Sequence, residues 1–124
     1  MKRSDIALWA AALILAPTLW PSAGRAGTAA DDYQNYCAQC HGTMGTGQGI
    51  NETAGGLSVS PRSHINAEEM SKLSDEDLRL GIAEGGDALQ KSGLMPPWGK
   101  TLSSENIDEL VIYLRKLCKC VGKQ

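Results

Sequence analysis

The segment Cys37-Ala-Gln-Cys40-His41 constrains this chain more than any other part of its sequence. Residues three apart lie on the same face of a helix, so Cys37 and Cys40 can present both thiols to one ligand. Two thiols placed in this way, with histidine directly after them, are typical of covalent haem attachment through two thioethers. His41 would then lie under the ring, where its imidazole can bind the iron from the proximal side. The sequence therefore predicts a haem bound at these three residues.

Three other uses of the two cysteines fit the sequence less well. A thioredoxin-like redox pair needs a βαβ context, and no strand-like run precedes Cys37. A zinc site needs two further ligands at a matching spacing, whereas Cys118 and Cys120 lie far away and are spaced as C-x-C. A simple disulfide would leave His41 without a role.

The N-terminus has the pattern of a secretory signal peptide. Two basic residues precede an uncharged run over residues 6–19, and a stretch rich in small residues follows. The run is shorter than the ~20 apolar residues of a membrane span, and Pro17 interrupts it. We predict a signal peptide over residues 1–26, with candidate cleavage sites at 24–30. The alternative is an uncleaved N-terminal anchor.

Removal of the signal peptide leaves residues 27–124, enough chain for one domain and too little for two. Three of the 12 basic and one of the 14 acidic side chains leave with it, so 9 and 13 remain and the net charge is −4. This acidic balance argues against nucleic-acid binding, which requires a basic face. No membrane span is predicted after cleavage, and export places the protein in the periplasm, an oxidising compartment.

A second iron ligand must come from the opposite face of the haem, and Met95 is the strongest candidate. It begins the segment Met-Pro-Pro-Trp-Gly, in which the prolines keep the backbone extended and stiff. A stiff loop can hold a thioether at a set distance. Met44 follows His41 too closely to reach the far side, so Met44 and Met70 are predicted to fill the core. His64 is predicted to be a surface or loop residue and is the weaker alternative ligand.

Three helices are predicted from capping signals and apolar spacing. The first covers about residues 29–40, and four of its side chains fall on one face: Tyr33, Tyr36, Cys37 and Cys40. The second begins after Ser74, which forms a capping box with Asp77, and ends at Gly85.

The third predicted helix begins after Ser103 and is the most strongly amphipathic, with apolar spacing that continues to Val121. Between the first two helices, five glycines over residues 45–56 predict a flexible loop. A phosphate-binding loop is a poor alternative there, because no strand precedes it and no Lys-Ser/Thr pair follows it.

These features together resemble the small class I c-type cytochromes of bacteria. The resemblance rests on the haem motif at 37–41 with Gly42 after it, the glycine-rich segment 45–49, the Met-Pro-Pro-Trp-Gly segment and a helix ending near Tyr113. It covers about residues 29–117. It implies an all-α class I cytochrome c fold, with three main helices wrapped round one haem and the first and last helices crossing.

The same resemblance implies one covalently bound haem c at Cys37 and Cys40, with iron between His41 and Met95. It also matches Pro61 to the loop proline whose carbonyl orients the proximal imidazole. The function implied is one-electron transfer to redox partner proteins. Because both axial positions would be filled, we expect a carrier and not an enzyme.

Two alternative functions stay open at this point. The same domain could be the electron-transfer subunit of a periplasmic oxidoreductase. A haem enzyme or gas sensor with an open iron position is the third, and it requires that Met95 not bind. For a carrier, the transfer surface is expected at an exposed haem edge near Met44, Ile50 and residues 96–98.

Cys118 and Cys120 depart from the family pattern. On a continuous helix they would point about 200° apart, so they cannot bridge without unwinding it. The options are a local disulfide, an intermolecular bridge, or a metal or thiol-linked contact; we favour a disulfide.

Charge is unevenly distributed along the mature chain. Acidic residues cluster over 68–87, and four basic residues gather near the C-terminus: Arg115, Lys116, Lys119 and Lys123. This pattern is explained either by a solvated surface with cations at a helix end or by electrostatic steering of a redox partner.

Overall fold

The computed structural model describes residues 27–124 of the chain. The secondary structure within this range is helical, and no strand is present there. The six α-helices are α1 (Ala29–Asp32), α2 (Ala38–His41), α3 (Ile50–Gly55), α4 (Ala67–Ser71), α5 (Asp75–Glu84) and α6 (Ser104–Cys118). A π-helical stretch, Tyr33–Cys37, joins α1 to α2, and a 3₁₀ turn, Gly86–Leu89, follows α5. The all-α prediction is confirmed. The predicted signal peptide lies outside the described residues.

The first helical segment begins and ends where the sequence predicts, but its interior is not a regular α-helix. The Thr28 hydroxyl accepts a hydrogen bond from the Asp31 N–H at 3.2 Å, and the Asp31 carboxylate accepts one from the Thr28 N–H at 3.0 Å. In the π-helical stretch the Ala38 N–H donates to the Tyr33 carbonyl, five residues back. Single π-helical turns of this kind often occur at functional sites. Gly42, at φ +82°, ends the segment.

The predicted caps of the two longer helices are confirmed. The Ser74 hydroxyl accepts from the Asp77 N–H at 3.0 Å, and the Asp77 carboxylate accepts from the Ser74 N–H at 2.8 Å. These two bonds lower the pKa of Asp77. Gly85, at φ +87°, ends α5. The Ser103 hydroxyl accepts from the Asn106 N–H at 3.2 Å and begins α6.

The end of α6 differs from the prediction. The helix ends at Cys118 instead of continuing to Val121, because Lys119 adopts a left-handed conformation at φ +52°. This unwinding lets Cys118 and Cys120 form a local disulfide. The chain then turns back, and the Lys123 N–H donates to the Ser71 carbonyl at 3.0 Å. Val121, at 80% exposure, lies outside the core.

The core lies where α6 packs against the first helical segment, α4 and α5. Its buried side chains are Tyr33, Ala38, Met70, Leu78, Ile82, Leu102, Ile107, Leu110, Val111, Leu114 and Cys118. The rings of Tyr33 and Tyr113 lie 5.3 Å apart, so the first and last helices contact each other as the resemblance implied. The prediction for Met70 is confirmed. The prediction for Met44 is wrong, because the chain leaves the helix at Gly42 and Met44 projects from the turn that follows, with 70% exposure.

Two short helices were not predicted. The segment expected to be a flexible loop contains α3, and α4 lies in a stretch without a clear apolar pattern. At six and five residues, both are too short to show helical periodicity in the sequence. Across residues 27–124, the helices lack the combination of length and apolar character that crossing a bilayer needs.

Candidate functional site

One cavity of about 820 Å³ brings together the four residues that the sequence singled out. Cys37, Cys40, His41 and Met95 all line it. Its volume lies within the roughly 300–1,000 Å³ of small-molecule and cofactor sites. Much of the remaining wall is apolar and continues the core, through Leu73, Leu78, Ile82, Leu110 and Leu114. The cavity therefore has the shape and polarity of a site for a large apolar group with a few polar attachments.

The two cysteines lie on different parts of the first helical segment and are not bonded to each other. Cys37 ends the π-helical stretch, and Cys40 lies on α2. Burial, followed by the charge of Asp32 and the neighbouring Cys40, raises the pKa of Cys37 to about 12. The side-chain amide of Asn51 points at the Cys40 sulfur from 3.6 Å. Both cysteines are free of a disulfide and line the cavity, as thioether formation requires.

His41 is oriented by the backbone of a distant loop. Its Nδ1 lies 2.8 Å from the carbonyl oxygen of Arg62. Because a carbonyl can only accept, Nδ1 carries the proton and Nε2 is left with a free lone pair for a metal. Burial also lowers the pKa of His41, which favours the neutral, metal-binding form.

The orienting carbonyl belongs to Arg62 and not to Pro61, which corrects the expectation from the resemblance. The Pro61 carbonyl faces Gly47 instead, where a Cβ atom would lie only 2.7 Å from that oxygen. The residue whose carbonyl contacts His41 is thus one position later in the sequence than the resemblance implied. Gly47 also donates its N–H to the His41 carbonyl at 2.8 Å, which brings the glycine-rich turn and the loop against α2.

His64 lies in a loop, as one of the two predicted alternatives, but the prediction that it is a surface residue is wrong. Its side chain is only 8% exposed, and its ring stacks on His41 with centroids 4.1 Å apart and planes 19° from parallel. The Tyr33 hydroxyl lies 2.9 Å from His64 Nδ1. Burial, then the nearness of His41 and Arg62, lowers the pKa of His64 well below its usual value. Its neighbours in sequence give no sign of this burial, which depends on contacts 23 and 31 residues away.

The Met95 loop is fastened to the end of α5. The Met95 carbonyl accepts from the Gly86 N–H at 3.0 Å, and the Trp98 N–H donates to the Ile82 carbonyl at 2.9 Å. The Trp98 ring also packs on Tyr36 at 5.2 Å between centroids. Met95 itself is half-buried at the cavity wall. The loop is therefore held on both sides of its two prolines, as a stiff ligand-bearing loop should be.

The residues expected around a transfer surface fall into two groups. Pro96 and Trp98 line the cavity, and Pro96 is also exposed, as is Leu94, a residue of the cavity wall that was not among those expected. Met44 and Ile50 are exposed but do not line the cavity.

Known proteins resemble this chain in both sequence and fold. Residues 24–114 match the family described as cytochrome c oxidase, cbb3-type, subunit III. Cytochrome c6 from Bryopsis maxima is 31% identical over 87 residues, which cover 70% of this chain and 85% of that protein. The solved structure of the KustC0563 c-type cytochrome has a TM-score of 0.56 and 28% sequence identity, and covers 72% of this chain and 95% of its own. A mutant of the same protein gives 0.56 and 27%, over 73% and 98%.

These similarities agree with the site and with the helical architecture. The fold is the class I cytochrome c fold, and the family and relatives imply covalently bound haem c with iron. The residues present fit that group, because two free thiols, a neutral imidazole and a thioether line one apolar cavity. The chain belongs to the c-type cytochromes, in the family described as cytochrome c oxidase, cbb3-type, subunit III.

Proposed function

We propose that the protein is a periplasmic one-electron carrier in which Cys37 and Cys40 hold haem c covalently and His41 and Met95 bind its iron. The observation that carries this proposal is that all four residues line the same cavity. When bound, haem c supplies reversible one-electron chemistry between ferrous and ferric iron. The protein's contribution is to attach, orient and shield the group.

The two proposed ligands are prepared differently. The Arg62 carbonyl fixes the proton of His41 on Nδ1, so that Nε2 is free without a prior proton loss. The Met95 thioether needs no deprotonation, and its position depends on the backbone bonds that join its loop to α5. A thioether is a soft ligand that favours ferrous iron, so this pair raises the reduction potential relative to two imidazoles.

Carrier function is supported by the two proposed ligands. With both His41 and Met95 bound to the iron, no coordination position would be left for a substrate. His64 does not fit as the ligand of the opposite face, because its ring stacks directly on His41. This arrangement speaks against an enzyme or gas sensor with an open iron.

Electron transfer to partners is proposed near Leu94 and Pro96, which are both exposed and in the cavity wall. Complexes of redox proteins at such surfaces are small and transient. Two of the basic residues near the C-terminus are paired within the protein, Arg115 with Asp75 at 2.9 Å and Lys123 with Asp77 at 3.3 Å. These pairs reduce the positive charge that could steer a redox partner.

A second candidate is an electron-transfer subunit of a larger oxidoreductase. The matched family is described as a subunit of a cbb3-type cytochrome c oxidase, which favours this candidate. Purification from the native membrane and periplasmic fractions separates the two: a carrier is recovered alone, whereas a subunit co-purifies with its oxidoreductase.

The test of the proposal is the full chain expressed in a host competent in cytochrome maturation. We expect a coloured periplasmic protein with the mass of residues 27–124 plus one haem, and a sulfur-to-iron charge-transfer band when oxidised. Met95→Ala should abolish that band and lower the potential. Met44→Ala is the matched control, because Met44 is exposed and outside the cavity, and it should keep both.

Two results would count against the proposal. A colourless product with the mass of the bare polypeptide would refute haem attachment. A charge-transfer band that survives in Met95→Ala would refute the ligand assignment.

A further inference from the structure

Two aromatic side chains, Tyr33 and His64, lie behind the proposed iron ligand His41. Tyr33 is completely buried, His64 is nearly so, and the two are joined by the 2.9 Å contact between the hydroxyl and Nδ1. His64 in turn stacks on His41. Neither Tyr33 nor His64 has a role in attaching the haem or binding its iron under the proposed function.

His64 restricts a motion of His41 that the hydrogen bond to Arg62 leaves free. That bond fixes the position of one ring atom, Nδ1. The ring could still tilt about the line of the bond. A second ring lying 4.1 Å away and within 19° of parallel blocks this tilt.

His64 is itself held at two points. The backbone N–H of His64 donates to the Gly45 carbonyl at 2.7 Å, which fixes the backbone of His64 beside the glycine-rich turn. Its side chain meets the Tyr33 hydroxyl, and Tyr33 lies in the π-helical stretch that leads to Cys37. The orientation of His41 is therefore connected to the same helical segment that carries the two cysteines.

The pair of Tyr33 and His64 also differs electrostatically from an apolar filling. Burying a hydroxyl and an imidazole costs free energy unless they are paired, and here each is the partner of the other. An aliphatic side chain at position 64 could occupy similar space with no dipole. A polar ring beside an iron ligand makes its surroundings less apolar than an aliphatic group would, and less apolar surroundings favour the more highly charged ferric state.

We propose that His64, oriented by Tyr33, is a positioning residue that fixes the ring of His41 and lowers the reduction potential of the iron bound there. This inference rests on the proposed function. It adds two residues that also line the cavity and that influence the iron through the ring of its histidine ligand.

The test compares four holoproteins: wild type, His64→Leu, Tyr33→Phe and the double variant. Midpoint potentials are measured by spectroelectrochemistry, and the orientation of the His41 ring by the paramagnetic NMR shifts of its protons. We expect His64→Leu to raise the potential and move the His41 shifts while the charge-transfer band persists. Tyr33→Phe should raise the potential by a smaller step, and should add nothing in the His64→Leu background, because Tyr33 acts through His64.

Met70→Leu is the packing control. Met70 is completely buried but lies outside the cavity wall, and the substitution nearly conserves volume. Its potential should equal that of the wild type. Should His64→Leu fail to accumulate, His64→Gln and Tyr33→Phe carry the same test.

Wild-type potentials in the His64 and Tyr33 variants would overturn the inference. So would a Tyr33→Phe shift of equal size in both backgrounds, since Tyr33 would then act independently of His64. If the proposed function itself were wrong, the result would be different: the wild-type protein would lack the haem or the charge-transfer band.

Discussion

His41 and Arg62 are joined by a hydrogen bond of 2.8 Å between Nδ1 and the backbone carbonyl oxygen, across 21 residues of sequence. The bond exists because the chain between them folds back onto α2. Gly47 donates to the His41 carbonyl at 2.8 Å, and Gly49 donates to the Cys40 carbonyl at 2.9 Å. A backbone carbonyl, held in place by these turns, therefore fixes the Nδ1 proton of the proposed iron ligand. Substitution of a glycine in this turn should affect the iron site from a distance.

Gly47→Ala should destabilise the protein and disturb the iron site. The new Cβ atom would lie 2.7 Å from the Pro61 carbonyl, and the residue has φ +86°, which L side chains rarely adopt. A strained position of this kind costs on the order of 1–3 kcal/mol. Urea denaturation of the holoprotein should show that loss of unfolding free energy, and the reduction potential should shift as the Arg62 carbonyl moves away from His41.

Gly55→Ala is the matched control for this substitution. Gly55 ends α3, and a Cβ atom there would meet no other atom within 4 Å. Its unfolding free energy should stay within about 1 kcal/mol of the wild type, or rise, because alanine restricts the unfolded chain. Equal losses in the two variants would show that the Gly47–Pro61 approach does not hold the loop.

The parts of this protein that the sequence predicted are those determined locally. The Ser74 cap is formed by groups three residues apart, and the spacing of Cys37 and Cys40 places both on one helical segment. The parts that it did not predict depend on distant contacts. The burial of His64 requires Tyr33, 31 residues away. The shift from Pro61 to Arg62 depends on how closely Gly47 can approach the loop.

A double Cys37→Ala, Cys40→Ala variant should fail to retain haem and should lose helicity. Four core residues of the cavity wall would then border an unfilled apolar space: Leu78, Ile82, Leu110 and Leu114. Each square ångström of apolar surface left in water forgoes about 25 cal/mol, and the sequence has no Phe with which to fill the gap. Far-ultraviolet circular dichroism measures the loss.

Cys118→Ala with Cys120→Ala is the control for that double variant. It also removes two cysteines, but neither lines the cavity. The control should remain coloured and keep most of its helical signal. Native helicity in the colourless Cys37, Cys40 variant would show that the haem is not needed to complete the core.

Arg115→Met should destabilise the protein strongly because this arginine joins α6 to α4, to the turn after α4 and to the start of α5. Its guanidinium donates to the Met70 carbonyl at 2.9 Å, the Leu73 carbonyl at 2.7 Å and the Asp75 carboxylate at 2.9 Å. Its side chain is only 13% exposed and its bonds to the two carbonyls are partly buried, so these two acceptors lose partners that water replaces poorly. We expect a loss of about 2–4 kcal/mol in unfolding free energy by urea denaturation.

Lys116→Met is the matched control for Arg115→Met. Lys116 is the next residue, belongs to the same helix and is exposed, and the substitution is chemically similar. Its effect should stay within about 0.5 kcal/mol. A comparable loss at both positions would mean that the apolar substitution, and not the lost hydrogen bonds, is responsible.

Reduction of the Cys118–Cys120 disulfide with a dithiol should release the C-terminal tail while leaving the haem in place, because thioethers are not reduced by thiols. The bridge stabilises the turn at Lys119, after which the Lys123 N–H reaches the Ser71 carbonyl at 3.0 Å. The closed loop is very short, so the loss of global stability should be only about 1–2 kcal/mol.

Amide exchange at Lys123 should accelerate by about tenfold or more, because local opening no longer has to break the turn. Hydrogen exchange followed by NMR measures this, and the Cys118→Ala, Cys120→Ala variant should exchange fast with or without the dithiol. Unchanged protection of Lys123 after reduction would show that the tail is held by its contacts with Ser71 and Asp77 alone.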